Sequence, residues 1–441
     1  MPHRVSSSTR PLRLAAMVAL AVSAATVFPA AATTVPARSE TQHAQLDRLA
    51  RELVAAGAPG VIVRVDDGSG RPVEIAEQAR WTRPDHVLRA GDEFREASNT
   101  KTMMATLVLQ LVAEGRLALT DPVEKWLPGA VPDGGAITLR MLLNHTSGLF
   151  DYTEDPAILP SILGRDPRPW TSAELLAVGV RHDPLFAPGT EWSYSNTNYV
   201  AIGAVLERVT GMSLAELVRD RIARPLSLRH TYYATDSTWR GPHARGYEPD
   251  AAHMPPSVPA EFRDFAGPRH DGHVDVSDHN PAAGGAAGAM VSTARDWSRF
   301  YTALMSGKLL PAAQLAQLRA TVPIFQDQPD GPGYGLGIQT GATACGTIWG
   351  HDGGIPGYLS TNVTDSTGSR TATVLIATES WAEFDADPEI AAAGHALQTA
   401  VICTMFGKPA PADRPHTSAA QRKPVLPLEL SGVLAVRAAT R

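Results

Sequence analysis

The feature that most constrains this chain is a segment with almost no polar face, opened by a serine and a lysine three residues apart. From Ser98 it reads SNTKTMMATLVLQLVAEGRL, and Met103, Met104, Leu107, Val108, Leu109, Leu111 and Val112 leave little of the helix surface for water. A helix that is apolar all round has to be wrapped by other elements, so the fold must enclose this one. With a helix beginning at Ser98, the spacing puts Ser98 and Lys101 on one face of the first turn, the hydroxyl at the positive end of the helix dipole. A serine hydroxyl is a poor nucleophile at neutral pH, and a lysine kept dry loses part of its affinity for a proton and can act as its base. Such a pair also arises by chance, and it gains meaning only from partners elsewhere in the chain.

Composition narrows the function. A net charge of −6 over 441 residues, with no run of Lys or Arg, gives no footprint for nucleic acid or a membrane surface. The substrate class left is a small molecule or a cell-wall-like polymer. Arg4, Arg10 and Arg13, the apolar stretch 14–28 and Ala30-Ala31-Ala32 predict a secretory signal over residues 1–32 and hence export. The alternative is an uncleaved anchor, but the apolar run is shorter than a bilayer span, so no stable membrane insertion is expected. In an exported chain the two cysteines, Cys345 and Cys403, most simply form one disulfide, between a strand of the late sheet and the last helix. Two free buried thiols are the other reading.

Along the chain, QLDRLARELVAAG reads as an amphipathic helix ended by Gly57, and GVIVRV with PVEIAE as a hairpin. The buried helix stops at Gly115. Thr138 can cap a short helix, and Ser213 with Glu216 forms a capping box. Residues of about 120–290 are helical and loopy, with a long irregular excursion over 237–285 rich in Pro, Gly, His and Asp. Strand patterns return in YGLGIQT, GTIWGHDGG, YLSTNVTD and TATVLIATES, before a closing helix. Strands at both ends with helices between predict an α/β chain of the α+β type. One antiparallel sheet is assembled from the two termini, with an α-rich lobe inserted in a domain over 33–407. The Pro-rich tail 408–441 is expected to lack fixed structure.

Two further patterns lie where partners for Ser98 are wanted. Tyr194-Ser195-Asn196 precedes a helix, and His351-Asp352-Gly353 sits on or beside a late strand. With Ser98 and Lys101 they would form three walls of one cleft. Taken in order with their neighbours (LLNHTSGL, YSNTNYVAIGAVLE, GAMVSTARDWSRFYTALMSG, GYGLGI and GHDGGIPGY), they resemble the penicillin-recognising serine hydrolases. Within these, the chain is most similar to the class C β-lactamases and secreted D-alanyl-D-alanine carboxypeptidases, which have esterase and D-aminopeptidase cousins. The resemblance runs from about Glu40 to Pro409.

It implies a β-lactamase/transpeptidase-like fold, Ser98 as the acylated nucleophile, and Lys101 and Tyr194 as the groups that move its proton, leaving open which is the base. It further implies Asn196 as a donor to the substrate's amide carbonyl and His351 as a residue tuning Lys101 and Tyr194. The backbone N–H groups of Ser98 and Gly354, beside Gly353, would form an oxyanion hole. The cysteines fall where the secreted carboxypeptidases have theirs. No metal or other cofactor is implied. The implied substrate is a small peptide or ester, foremost a peptidoglycan stem peptide ending in D-Ala-D-Ala, with β-lactams as covalent inhibitors.

Two positions depart from that pattern: Gln339 stands where carboxypeptidase relatives carry a basic residue, and Asp352 where they carry Thr or Ser. Both changes weaken the grip on a substrate carboxylate. Asp352 would repel one if it faced the cleft, and Arg245, Arg263 or Arg269 could compensate. A second set, His270, His273 and His279 with Asp271, Asp275 and Asp278, has zinc-type ligands but no framework to fix them, and reads as a solvated loop.

Overall fold

A computed structural model describes residues 38–254, 260, 263–325, 327–379 and 388–411. The expected leader and the tail beyond 411 lie outside the described residues. Among the described residues no helix is long and apolar enough to cross a membrane.

Eight strands form the main sheet: β1 (Gly60–Asp66), β2 (Val73–Gln78), β3 (Val322–Pro323), β4 (Gly333–Tyr334), β5 (Gln339–Ala342), β6 (Thr347–Ile355), β7 (Tyr358–Thr364) and β8 (Thr371–Ile376). Their order is β2-β1-β8-β7-β6-β5-β4-β3, every pair antiparallel. The first hairpin therefore docks on the last strand, with Val63 opposite Val374 and Val61 opposite Ile376. This is the sheet built from both ends of the chain.

The five longest helices are α1 (Arg38–Ala55), α2 (Thr100–Ala113), α3 (Asn196–Thr210), α4 (Ala294–Met305) and α5 (Pro388–Met405). Because side chains alternate along a strand, Val61, Val63, Val65, Leu359, Val363 and Val374 share one face. They form a core with Leu46, Leu49 and Leu53 of α1 and Leu397 and Val401 of α5. A larger core surrounds α2, whose Met103, Met104, Leu107, Val108, Leu109 and Leu111 have no exposed surface. Each such side chain contributes roughly 1.5–3 kcal/mol by leaving water, which is what holds an almost wholly apolar helix in place.

Helix α2 stops where the sequence says it should, with Gly115 at φ 70°. Thr138 accepts from the Met141 N–H, and Ser213 with Glu216 makes the reciprocal capping box. The cysteines Cys345 and Cys403 stand side by side, Cα atoms 5.1 Å apart, a separation that a disulfide spans, between the β5–β6 turn and α5.

The excursion over 237–285 is more ordered than its composition suggests. Tyr247–Pro249, His273–Asp275 and Arg269–His270 pair as a small three-stranded sheet. Strands this short leave no period in the sequence to read. A second small sheet joins Phe94–Arg95 and Tyr232–Tyr233 to Met290–Ser292, and it fixes the entry to the Ser98 turn.

Candidate active site

Ser98 lies two residues before the helix that the sequence assigns to it. Ala97–Asn99 is a single 3-10 turn, and α2 begins at Thr100. Ala97, immediately before the serine, is held at φ 46°, a left-handed conformation that costs a residue with a Cβ about 1–2 kcal/mol. The turn is pinned by the Glu96 N–H donating to the Met290 carbonyl (2.9 Å) and by the Thr100 hydroxyl donating to the Ala97 carbonyl (2.6 Å).

Lys101 is buried beneath Ser98 and makes three hydrogen bonds. Its Nζ lies 3.0 Å from Ser98 Oγ, 2.8 Å from Asn196 Oδ1 and 2.9 Å from the Ala287 carbonyl. Burial is the main influence on its proton; it outweighs the pull of Asp151 and Asp352 and brings the amine down to about 7. The two carbonyl oxygens can only accept. A neutral amine has two hydrogens and one lone pair, so with both hydrogens committed to those oxygens its lone pair is left for the hydroxyl of Ser98. That is the arrangement a serine and its base require.

Tyr194, packed with Ile324 and Tyr334, presents its ring to Lys101 Nζ at 4.8 Å. Burial pushes its phenol well above the usual range, with Ser98 pulling in the opposite direction. No well-aligned hydrogen bond joins the two hydroxyls. Tyr194 is thus a neutral phenol beside the serine, and Lys101 is the group in hydrogen-bond contact with Ser98 Oγ.

Asn196 is the first residue of α3. Its Oδ1 faces Lys101, while its Nδ2 donates to Asp151 Oδ2 at 2.9 Å. The amide therefore bridges lysine and carboxylate through its oxygen and one N–H. His351 stands within electrostatic reach of Lys101, whose charge lowers its affinity for a proton. Its Nε2 accepts from the Tyr334 hydroxyl (2.9 Å) and its Nδ1 donates to the Asp352 carbonyl (2.5 Å), so it contacts Tyr194 only ring to ring. The same Tyr334 hydroxyl lies 3.1 Å from His145 Nε2, and His145 Nδ1 accepts the Ser195 N–H at 3.1 Å. Burial holds both imidazoles neutral, His351 at about 3. Each hydrogen in this wire has one place to go, from Asp352 back to the start of α3.

Strand β6 supplies the opposite wall. In its register with β7, His351 and Gly353 face the Ser98 turn, while Asp352 and Gly354 face the other way. A Cβ on Gly353 would stand 2.4 Å from the Glu96 carbonyl and 2.7 Å from the Ser98 nitrogen, so only glycine lets strand and turn meet. Strand β5 pairs with β6 only as far as Gly350, so among the described strands residues 351–355 have an unpaired edge beside Ser98. The backbone N–H groups of Ser98 and Gly354 belong to these two segments.

The two departures, Gln339 and Asp352, meet each other. Gln339 Nε2 donates to Asp352 Oδ1 at 3.3 Å, and both side chains are buried. Asp352 is thus held at the strand edge, 3.6 Å from His351 Nδ1, rather than lying open on the cleft surface. Arg245 pairs with Asp275 and Asp278, and Arg269 with Asp250 and Asp264, so neither compensates. Arg263 belongs to the same excursion, where its backbone N–H donates to the Ala260 carbonyl at 3.3 Å.

The second histidine and aspartate set does not assemble. His273 stacks on Trp81 and His279 bonds the Ala266 carbonyl, while His270 and Asp275 instead meet Asp85. Sequence reading missed Asp151, His145 and Tyr334. Asp151 lies in the FDY that follows LLNHTSGL, and the other two lie inside quoted motifs, so position near a motif was the only signal.

Comparison with known proteins agrees with this fold. The chain is 36% identical over 214 residues to Esterase EstB of Burkholderia gladioli, an alignment covering 46% of this chain and 53% of the esterase. It is 29% identical over 288 residues to Penicillin-binding protein 4* of Bacillus subtilis (strain 168), covering 62% of this chain and 57% of the relative. The chain thus spans just over half the length of these two curated relatives. A crystal structure of a D-stereospecific amidohydrolase from Streptomyces sp. superposes with a TM-score of 0.69 at 36% identity, covering 82% of this chain and 99% of that one. Residues 46–396 match the family profile described as Beta-lactamase, and with it the chain belongs to the β-lactamase family of serine hydrolases.

Proposed function

We propose that Ser98 is the acylated nucleophile and Lys101 its general base. The observation that carries this reading is the hydrogen-bond set of Lys101, whose two obligate acceptors leave one lone pair for Ser98. Ser98 Oγ gives its proton to Lys101 Nζ and attacks the substrate carbonyl carbon. The carbonyl oxygen becomes an oxyanion received by the N–H groups of Ser98 and Gly354. As the tetrahedral intermediate collapses, the bond to the leaving nitrogen or oxygen breaks, and the leaving group takes the proton back from Lys101 by way of the Tyr194 hydroxyl. Water then cleaves the Ser98 ester with the same groups in reverse.

For substrate, the reading supported best is a small amide or ester of a D-amino acid whose leaving group carries no carboxylate. Gln339 fills the position of a basic residue and is closed on Asp352, so this part of the chain brings no cation to hold a substrate carboxylate. The D-stereospecific activity named for the Streptomyces structure supports the configuration. The second reading is D-alanyl-D-alanine carboxypeptidase on peptidoglycan-type peptides, with β-lactams as acylating inhibitors, supported by the penicillin-binding relative. An exported protein with Cys345 and Cys403 oxidised fits either one.

Turnover of D-amino acid amides, p-nitrophenyl esters, an N-acylated D-Ala-D-Ala peptide and a penicillin tests this, beside Ser98→Ala. The variant is expected to keep its fold and lose at least about 10³-fold in turnover. Unchanged turnover in Ser98→Ala would sink the mechanism. A preference for the D-Ala-D-Ala peptide over the uncharged amides would reverse the order of the two substrate readings.

A further inference from the structure

Lys101 offers its lone pair to Ser98 only if both its other partners accept. The Ala287 carbonyl has no choice, but Asn196 does. A side-chain amide can turn over and present its NH2 instead of its oxygen, and Lys101 would then turn its lone pair toward Asn196 and point a hydrogen at Ser98. What keeps the amide from turning is Asp151. This buried carboxylate accepts four donors: the Thr153 N–H (3.0 Å) and hydroxyl (2.8 Å) on Oδ1, and the Asn196 N–H (3.1 Å) and Nδ2 (2.9 Å) on Oδ2. Burial raises its carboxyl above the usual range, and these donors, with Lys101, pull it back toward the charged form.

We infer that Asp151 is a positioning residue that acts through Asn196: as an obligate acceptor it fixes the polarity of the Asp151–Asn196–Lys101–Ser98 chain so that the lysine lone pair faces the serine. The inference rests on Lys101 being the base. Asp151 touches neither substrate nor Ser98 in this scheme. Its effect is on the direction of hydrogen bonds and, less strongly, on the charge of Lys101.

Asp151→Asn keeps the size and removes the obligation. If the introduced amide aims its oxygen at Thr153, its NH2 faces Asn196, whose own amide inverts. If it aims the oxygen at Asn196, the Thr153 N–H is left without an acceptor. Adding Asn196→Asp restores polarity, because a carboxylate at that position can only accept from Lys101 while the amide introduced by Asp151→Asn donates to it. It also puts a carboxylate against the lysine, whose other charged and titratable neighbours are Asp352, His145, His351, Tyr194 and Tyr199.

The test follows the labelling rate of Ser98 by a fluorophosphonate against pH, read by intact mass. The serine oxygen replaces fluoride on phosphorus and its proton goes to the base. Asp151→Asn should be labelled at least ten-fold more slowly than the native protein. Asp151→Asn with Asn196→Asp should recover to within a few-fold, with its acidic midpoint moved upward. If Asp151→Asn fails to fold by thermal melting, Asp151→Ser, whose hydroxyl likewise donates or accepts, takes its place with the same rescue. Native labelling rates in the single variant, or no rescue in the double, would overturn the role of Asp151. The underlying reading fails separately, if Lys101→Met is labelled like the native protein.

Discussion

Lys101 is a dry amine with two carbonyl acceptors and one hydroxyl, and its chemistry follows from that count. Below about pH 7 it carries a third hydrogen that points at Ser98, and above it a lone pair. The rate constant for substrate capture, kcat/KM, should therefore rise through about pH 7 and level off. The acidic limb should disappear together with activity in Lys101→Met, a loss of about 10³-fold or more. A pH–rate profile of the native protein checks this, and a midpoint near 10, where a solvated lysine titrates, would contradict it. Pairing Ser98 with Lys101 was legible in the sequence because spacing along one turn is local. The partners Asn196 and Ala287 lie 95 and 186 residues away, and their contact depends on how two helix starts pack.

Strand β6 and the Ser98 turn touch because Gly353 has no side chain. Gly353→Ala is expected to push the strand from the turn and separate the two backbone N–H groups, with a loss of roughly 10²-fold in kcat and a smaller change in KM. Steady-state kinetics with a p-nitrophenyl ester would show it, and native kinetics in the variant would place the oxyanion site elsewhere. Behind the strand, Tyr334 joins His145 to His351. Tyr334→Phe removes one hydroxyl and strands two buried nitrogens, a cost of about 1–3 kcal/mol that denaturant unfolding would measure. Equal midpoints for variant and native protein would mean that the wire carries no stability.

At this scale the sequence was readable where an element has a period or a cap: the first hairpin, α2, Thr138 and the Ser213 box. It was unreadable where strands are two or three residues long, as in the 247–275 sheet. For Asp352 the sequence left open whether its side chain faced the cleft; the register of β6 with β7 turns it to the face opposite His351, and Gln339 closes over it.

The whole molecule closes its sheet from both ends and encloses ionisable groups in doing so. Glu96, two residues before Ser98, has no exposed surface and, among the described residues, a single side-chain donor, Asn362. Burial raises its carboxyl to about 8 from 4.5, and Glu379 behaves alike. Between those pH values the unfolded chain has released the Glu96 proton while the folded chain retains it. The folded state thus binds more protons, and stability falls as pH rises through this window. Glu96→Gln should remove that decline, closing on and overtaking the native protein by up to ~1.4 kcal/mol per pH unit. Denaturant midpoints of both proteins across the window decide it, and parallel curves would refute it.

Fold class and sheet origin were legible because strand patterns cluster at the two ends of the chain. The buried carboxylates were not, because Glu96 and Asp151 look like any surface acid until the sheet is closed over them.

The central claim is that Ser98 is acylated with neutral Lys101 as its base. The most direct measurement is the intact mass of the protein during fluorophosphonate treatment across the pH range around 7, beside Ser98→Ala. One adduct on the native protein, formed faster as pH rises through about 7 and absent from the variant, is the predicted result. An adduct on the variant, or a rate indifferent to pH across that range, would contradict it.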